Sequence, residues 1–146
     1  MIGNGVGIAP MRGFCQESAW NIINNQPNNF GEIAVFFGTK TKDDKLFHSD
    51  FDTAQKTGAL TSYIIAFSRE TDLPKLYAQD TLIKNPEIIL DLIFKKKGLI
   101  YVCGSNPLRK GVIQALDTIF SEAGHGDTLR NITKEGRIMF ECFGGG

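Results

Sequence analysis

Gly3-Asn4-Gly5-Val6-Gly7-Ile8-Ala9-Pro10 runs straight into a helical pattern. Glycines at alternate positions let a backbone approach a bulky anion, and the helix start that follows attracts negative charge. The spacing is not G-x-G-x-x-G, because Ile8 stands where the third glycine would be. A tight glycine turn without a ligand is the plainer reading. A second group, Ser68-Arg69-Glu70 with Lys75 and Tyr77, follows an apolar run. Arg offers a planar fork for a phosphate, Lys a point charge, Ser a hydroxyl and Tyr a flat face. Together they suit an adenosine 2′-phosphate; a solvated charged loop is the alternative. Gly38 leads into Thr39-Lys40-Thr41-Lys42, where a site for an unphosphorylated ribose would place a carboxylate.

Two further groups sit late in the chain. Cys103-Gly104-Ser105 closes the apolar run LIYVC, and Phe140-Glu141-Cys142-Phe143 lies near the C-terminus. A free Cys is most often a small buried apolar residue, and a terminal aromatic can simply plug a groove. Alternatively, Phe143 covers a flat ring at a strand edge. Cys15 falls on a helical stripe and reads as core. Trp20, off that stripe, and His48, within a helix, carry no functional reading. His48 and His125 are too far apart in sequence to suggest a zinc site.

Apolar residues make up 42% of the 146, and 16 basic residues balance 16 acidic ones. That composition supports one folded domain over 1–146, with no global field to hold nucleic acid or an anionic membrane. No run of 18 apolar residues exists to span a membrane, and the N-terminus has no signal-peptide pattern. Three widely spaced cysteines, without Cys-x-x-Cys, point to a reducing, cytoplasmic setting.

The elements that must position these residues alternate. Ile33–Phe37, Ser62–Phe67, Leu99–Cys103 and Arg137–Phe140 are short apolar runs, expected as parallel strands buried on both faces. Met11, Phe14, Cys15, Ser18, Ala19, Ile22 and Ile23 follow helical spacing. Phe47, Phe51 and Ala54 mark a second helix, with Asp43 and Asp44 expected in its first turn and Gly58 after its end. Leu76–Phe94 is helical but interrupted at Asn85-Pro86, and Val112 to Ala123 carries a clean apolar stripe behind Pro107. This pattern predicts a doubly wound α/β sheet of five parallel strands, order 3-2-1-4-5, whose first strand is a truncated stub at Met1-Ile2. Its switch point would bring the Gly3–Pro10 loop and Cys103 to one crevice.

GNGVGIAP, FFGTK, AFSRE, LPKLYAQD, IYVCG and the final E-x-F together resemble the C-terminal NADP-binding domain of the ferredoxin–NADP reductase superfamily. They resemble most the diflavin reductases: cytochrome P450 reductase, the sulfite reductase flavoprotein and the nitric oxide synthase reductase domain. The spacing SRE-x4-K-x-Y-x-Q-D is similar to the nitric oxide synthase branch. The resemblance implies an NADPH-dependent flavoprotein reductase, with hydride passing to an FAD held by a domain not in this chain; FMN would belong to a further domain. It implies that Gly5, Val6 and Gly7 lie near the pyrophosphate and nicotinamide, with Gly104 and Ser105 also cofactor-binding. Lys40, Ser68, Arg69, Lys75, Tyr77 and Gln79 would hold the phosphates and adenine end. Cys103 would sit beside the nicotinamide, Glu141 would help stabilise hydride transfer, and Phe143 would stack on the flavin.

The sequence departs from that family pattern at Asn4 (usually Pro), Val6 (usually Thr), Ser105 (usually Asp), Leu108 (usually Met) and Glu141 (usually Asp). The resemblance implies a Thr hydroxyl that would hydrogen-bond the nicotinamide or pyrophosphate, a bond the Val6 side chain cannot make. These departures leave open a nucleotide-binding or regulatory module without redox activity. A receiver-type signalling domain is disfavoured, because Gly38, Ser68 and Gly104 stand at the strand ends where it needs acids. The isolated chain is expected to be inactive, since it can place only one of two reacting rings.

Overall fold

The computed structural model describes residues 1–44 and 47–144. Its strands are β1 (Ile2–Asn4), β2 (Ile33–Thr39), β3 (Leu60–Phe67), β4 (Ile100–Ser105) and β5 (Ile138–Phe143). They form one parallel sheet in the order β3-β2-β1-β4-β5, as the alternation predicts. The winding direction reverses between β1 and β4, which opens a crevice at the strands' C-terminal ends.

Helices α1 (Ile8–Ile23) and α2 (His48–Thr57) cover one face. Helices α3 (Ala78–Lys84), α4 (Pro86–Leu90), α5 (Asn106–Glu122) and α6 (Thr128–Lys134) cover the other. β2 shows why a continuous apolar run was needed. Val35 and Phe37 pack with Met11, Cys15 and Phe51, while Ala34 and Phe36 pack with Leu82, Val112 and Leu116. Each large side chain so buried stabilises the fold by about 1.5–3 kcal/mol relative to exposure. The outer strands β3 and β5 are covered less completely and alternate more.

Several boundaries differ from the sequence expectation. α1 begins at Ile8, behind a 3-10 turn over Gly5–Gly7. Its buried stripe is narrower than the apolar spacing, since Phe14, Ile22 and Ile23 are exposed. Asp43 and Asp44 are not in α2: they belong to a separate 3-10 turn, Lys42–Asp44, and α2 starts at His48. The Leu76–Phe94 stretch is helical only from Ala78, breaks at Asn85 before Pro86, and ends in a π-turn over Asp91–Lys95. β5 runs on to Phe143, so the tail motif is strand and not loop. α6 has no strong sequence signal, because its seven residues bury only Thr128 and Ile132. Gly145 and Gly146 lie outside the described residues.

Two glycines of the N-terminal region differ sharply in what a side chain would meet. At Gly13, exposed within α1, an added Cβ finds nothing within 4 Å. At Gly7 it would lie 2.2 Å from the Cys103 carbonyl oxygen and 2.6 Å from the carbonyl carbon. Gly13→Ala should therefore stabilise by about 0.5–1 kcal/mol through helix propensity. Gly7→Ala should destabilise by at least about 1–3 kcal/mol, because backbone and not a flexible side chain must move. Urea unfolding midpoints of the two variants against the parent check both signs.

Candidate functional site

The crevice at the switch point has a volume of about 700 Å³, within the range of roughly 300–1,000 Å³ common for small-molecule sites. Its floor comes from the ends of β1 and β4: Asn4, Gly5 and Val6 on one side, Gly104 and Ser105 on the other. Gly5 adopts φ 53°, a left-handed turn that glycine enters without strain, and the space around its Cα is open. Val6 is 69% exposed at the mouth. Gly7 lies below the wall, packed on the Cys103 carbonyl.

Asn4 ties this floor together. Its Nδ2 donates to Ser105 Oγ at 3.0 Å, and the Ser105 N–H donates to Asn4 Oδ1 at 3.0 Å. Ser105 Oγ also accepts from the Leu108 N–H at 3.3 Å, capping α5. A Cβ on Gly104 would lie 2.1 Å from Asn4 Oδ1, so Gly104 gives the Asn4 side chain its room. The residues that depart from the reductase pattern at positions 4 and 105 are thus partners of each other.

The far end of the crevice is built from the loops after β2 and β3 and the start of α3. Lys40, Ser68, Tyr77 and Gln79 line it, together with Asp43 and Asp44. The two loops are joined by backbone bonds from Ser68 N to Thr39 O at 2.9 Å and from Arg69 N to Lys40 O at 2.8 Å. Arg69 and Lys75 stand outside the crevice wall, Lys75 with its Nζ 5.4 Å from the Tyr77 ring centre. Among the described residues, no ion pair engages Lys40, Arg69 or Lys75. Tyr77 precedes α3, and its N–H donates to Asp80 Oδ2 at 2.8 Å. Gln79 lies against Gly111 of α5, where an added Cβ would come within 2.8 Å of the glutamine side chain.

The third part of the site is a row across the sheet. Gly3 pairs with Phe37 and with Cys103, and Cys103 pairs with Glu141. In a parallel sheet, residues so paired point to one face. Ser105 pairs with Phe143 on that same face, and Phe143 reaches the crevice with 59% exposure. Cys103 and Glu141 do not line the crevice: Cys103 is buried at 4% beside α1, and Glu141 is exposed at the sheet edge. Asn106 Nδ2 donates to the Gly144 carbonyl at 2.7 Å and holds the tail near the start of α5.

Sequence reasoning missed Tyr101. Its hydroxyl donates to Glu141 Oε2 at 2.7 Å, two residues before Cys103 on the same face. The strand period of two in LIYVC was the available signal. Burial, with the Glu141 bond second, pushes the Tyr101 phenol well above its ordinary range. Burial also pushes the Cys103 thiol up, and the Glu141 carboxylate adds to the shift. The arrangement is a neutral thiol beside a carboxylate whose orientation is fixed by a phenol.

The Oxidoreductase NAD-binding domain family matches residues 1–114. NADPH–cytochrome P450 reductase of Bos taurus is 40% identical over 151 aligned residues, covering 98% of this chain and 22% of the relative. Nitric oxide synthase of Anopheles stephensi is 37% identical over 123 residues, 83% of this chain and 10% of the relative. Methionine synthase reductase of Rattus norvegicus is 35% identical over 137 residues, 88% of this chain and 20% of the relative. The chain thus spans between about a tenth and a fifth of the length of these relatives.

The thiol–carboxylate pair makes a pH prediction. Glu141 raises the Cys103 pKa, so Glu141→Gln, which keeps an acceptor for Tyr101, should lower it. Alkylation of Cys103 followed residue by residue with mass spectrometry should titrate above the ordinary thiol range of about 8.5. In Glu141→Gln the same profile should move to lower pH; an unmoved or raised profile contradicts the electrostatic reading.

Proposed function

The chain belongs to the Oxidoreductase NAD-binding domain family, and from that premise we propose that it binds NADPH and presents it to an FAD held by another domain or protein. The observation that carries this reading is the crevice itself: a glycine turn with open space at one end, and at the other Lys40 in the wall with Arg69 and Lys75 just outside it, none in an ion pair among the described residues. The donor set fits a dinucleotide carrying an extra phosphate. Gly5 and Val6 supply a close backbone surface for the pyrophosphate, next to Gly104 and Ser105, with Gly7 beneath them packed on the Cys103 carbonyl. Lys40, Arg69 and Lys75 supply the charge for a 2′-phosphate, Ser68 a hydroxyl, and Tyr77 with Gln79 the walls of the adenine end.

When bound, NADPH supplies a hydride from nicotinamide C4, which the flavin accepts at N5. This chain's residues position and shield; the cofactors carry the reaction. Cys103, a neutral thiol buried beside α1 and outside the crevice lining, is assigned to back the nicotinamide end without a competing charge. Glu141 is assigned to stabilise the positive charge that develops on that ring, with Tyr101 holding its carboxylate. Phe143, 59% exposed at the open edge, would stack on the flavin. A reducing cytoplasmic setting suits the three free thiols. FMN, if present, belongs to a further domain, as in a diflavin reductase.

Calorimetric titration with NADP⁺ and NAD⁺ tests the binding reading. NADP⁺ should bind at least tenfold more tightly, about 1.4 kcal/mol, and Arg69→Ala should remove most of that difference. Equal affinities would overturn it. Alone, the chain should not reduce ferricyanide with NADPH. With the FAD-binding domain of a homologous reductase added, hydride transfer should appear and fall at least about tenfold in Cys103→Ala. Tight NADP⁺ binding with no transfer to any supplied flavin would instead favour a nucleotide-binding module without redox activity.

A further inference from the structure

Glu70 is an acid in the middle of a basic loop. It follows Ser68 and Arg69, and its Oε2 accepts from the Lys42 N–H at 2.8 Å. A carboxylate beside a phosphate site repels the ligand, so on charge alone this residue works against the binding proposed above. The geometry shows a compensating role. The bonds Ser68 N to Thr39 O and Arg69 N to Lys40 O join the two loops only as far as Lys40. Beyond that point, among the described residues, the Glu70 side chain makes the hydrogen bond that carries the joint on to Lys42.

Lys42 opens the turn Lys42–Asp44, which closes on itself through Asp44 N to Thr41 O at 3.1 Å and Thr41 Oγ1 to Asp44 Oδ2 at 2.8 Å. Asp43 and Asp44 of that turn line the crevice beside Lys40. Where the turn sits therefore decides how much positive and negative charge a ligand phosphate meets. We propose that Glu70 is a positioning residue for this phosphate subsite: it docks the Lys40–Asp44 segment against the Ser68–Arg69 loop and thereby sets the preference for a 2′-phosphorylated nucleotide. This rests on the reading of the crevice as an NADP(H) site. It adds a residue that acts through the backbone of another loop and does not touch the ligand.

Two substitutions separate geometry from charge. Glu70→Gln keeps an acceptor for the Lys42 N–H and loses the negative charge. Glu70→Ala loses both. NADP⁺ and NAD⁺ are titrated into the full chain and both variants, with thermal unfolding recorded on each sample. If Glu70 positions the turn, Glu70→Ala binds NADP⁺ at least about threefold more weakly than Glu70→Gln, which carries the same charge. Glu70→Gln binds it as tightly as the parent or tighter, NAD⁺ affinities stay level, and the Lys42 amide exchanges faster in Glu70→Ala. Equal NADP⁺ affinity in the two variants, or equal loss for NADP⁺ and NAD⁺, overturns the proposal. If the parent shows no preference for NADP⁺, the reading of the crevice falls first, and the proposal falls with it.

Discussion

The close approach of the Gly3–Gly7 segment to the Cys103 carbonyl is the contact on which the arrangement rests. β1 has only three residues and lies between β2 and β4 at the centre of the sheet. So short a strand offers few ladder bonds, and it must also deliver the chain into α1 within one 3-10 turn. A Cβ at Gly7 would meet the Cys103 backbone, and one at Gly3 would lie 3.1 Å from the Cys103 carbonyl oxygen and 2.7 Å from Met11 Cε. Without side chains at these points, β1 and β4 close up and the floor of the crevice forms. A larger residue would wedge apart the two strands whose ends hold the site.

The same pairing explains the polar chemistry at the floor. Asn4 and Ser105 are separated by 101 residues in sequence and exchange two hydrogen bonds across the β1–β4 seam. Each is half-buried, and each would cost stability if its partner were replaced by an apolar residue of another shape. Ser105 is also the N-cap of α5 through the Leu108 N–H. One small side chain therefore couples the end of β4, the start of α5 and the glycine turn. Positions 4 and 105, far apart in sequence, thus form one hydrogen-bonded unit across the seam.

The sheet order, the crevice and the gathering of Lys40, Ser68, Tyr77 and Gln79 in its wall were legible in the sequence because they depend on local signals. IAVFF and LIYVC announce strands covered on both faces, Pro107 marks the first turn of a helix, and SRE with a following Lys and Tyr sits just past a strand end. Less was legible where an interaction joined distant segments. Tyr101 reads as one more apolar strand residue until the register places it across from Met139 of β5 and in reach of Glu141. Glu70 reads as a solvated charge until the Lys42 amide is found beneath it. Asp43 and Asp44 look like helix-start acids, yet the chain spends them on a tight turn that closes back on Thr41 and Thr39. α6 lacked a signal because a short helix at the rim buries too few side chains to print a period.

Strand β5 gives the site its directionality. It is the last strand of the sheet, so one of its edges has no neighbour among the described strands. On the face that carries Cys103, α1 reaches Tyr101 through Phe14, with ring centres 5.9 Å apart, but leaves Met139, Glu141 and Phe143 exposed. An interior strand would have enclosed the thiol and carboxylate between two layers of helix, with no room for a second ring. At the edge, the carboxylate keeps access to solvent, while burial of the adjacent thiol raises its pKa and keeps it neutral. The proposed reaction needs both: a pocket that holds one ring from within this chain, and an open side from which a second ring, held by another domain or protein, arrives. Only an edge strand next to the switch point supplies both at once.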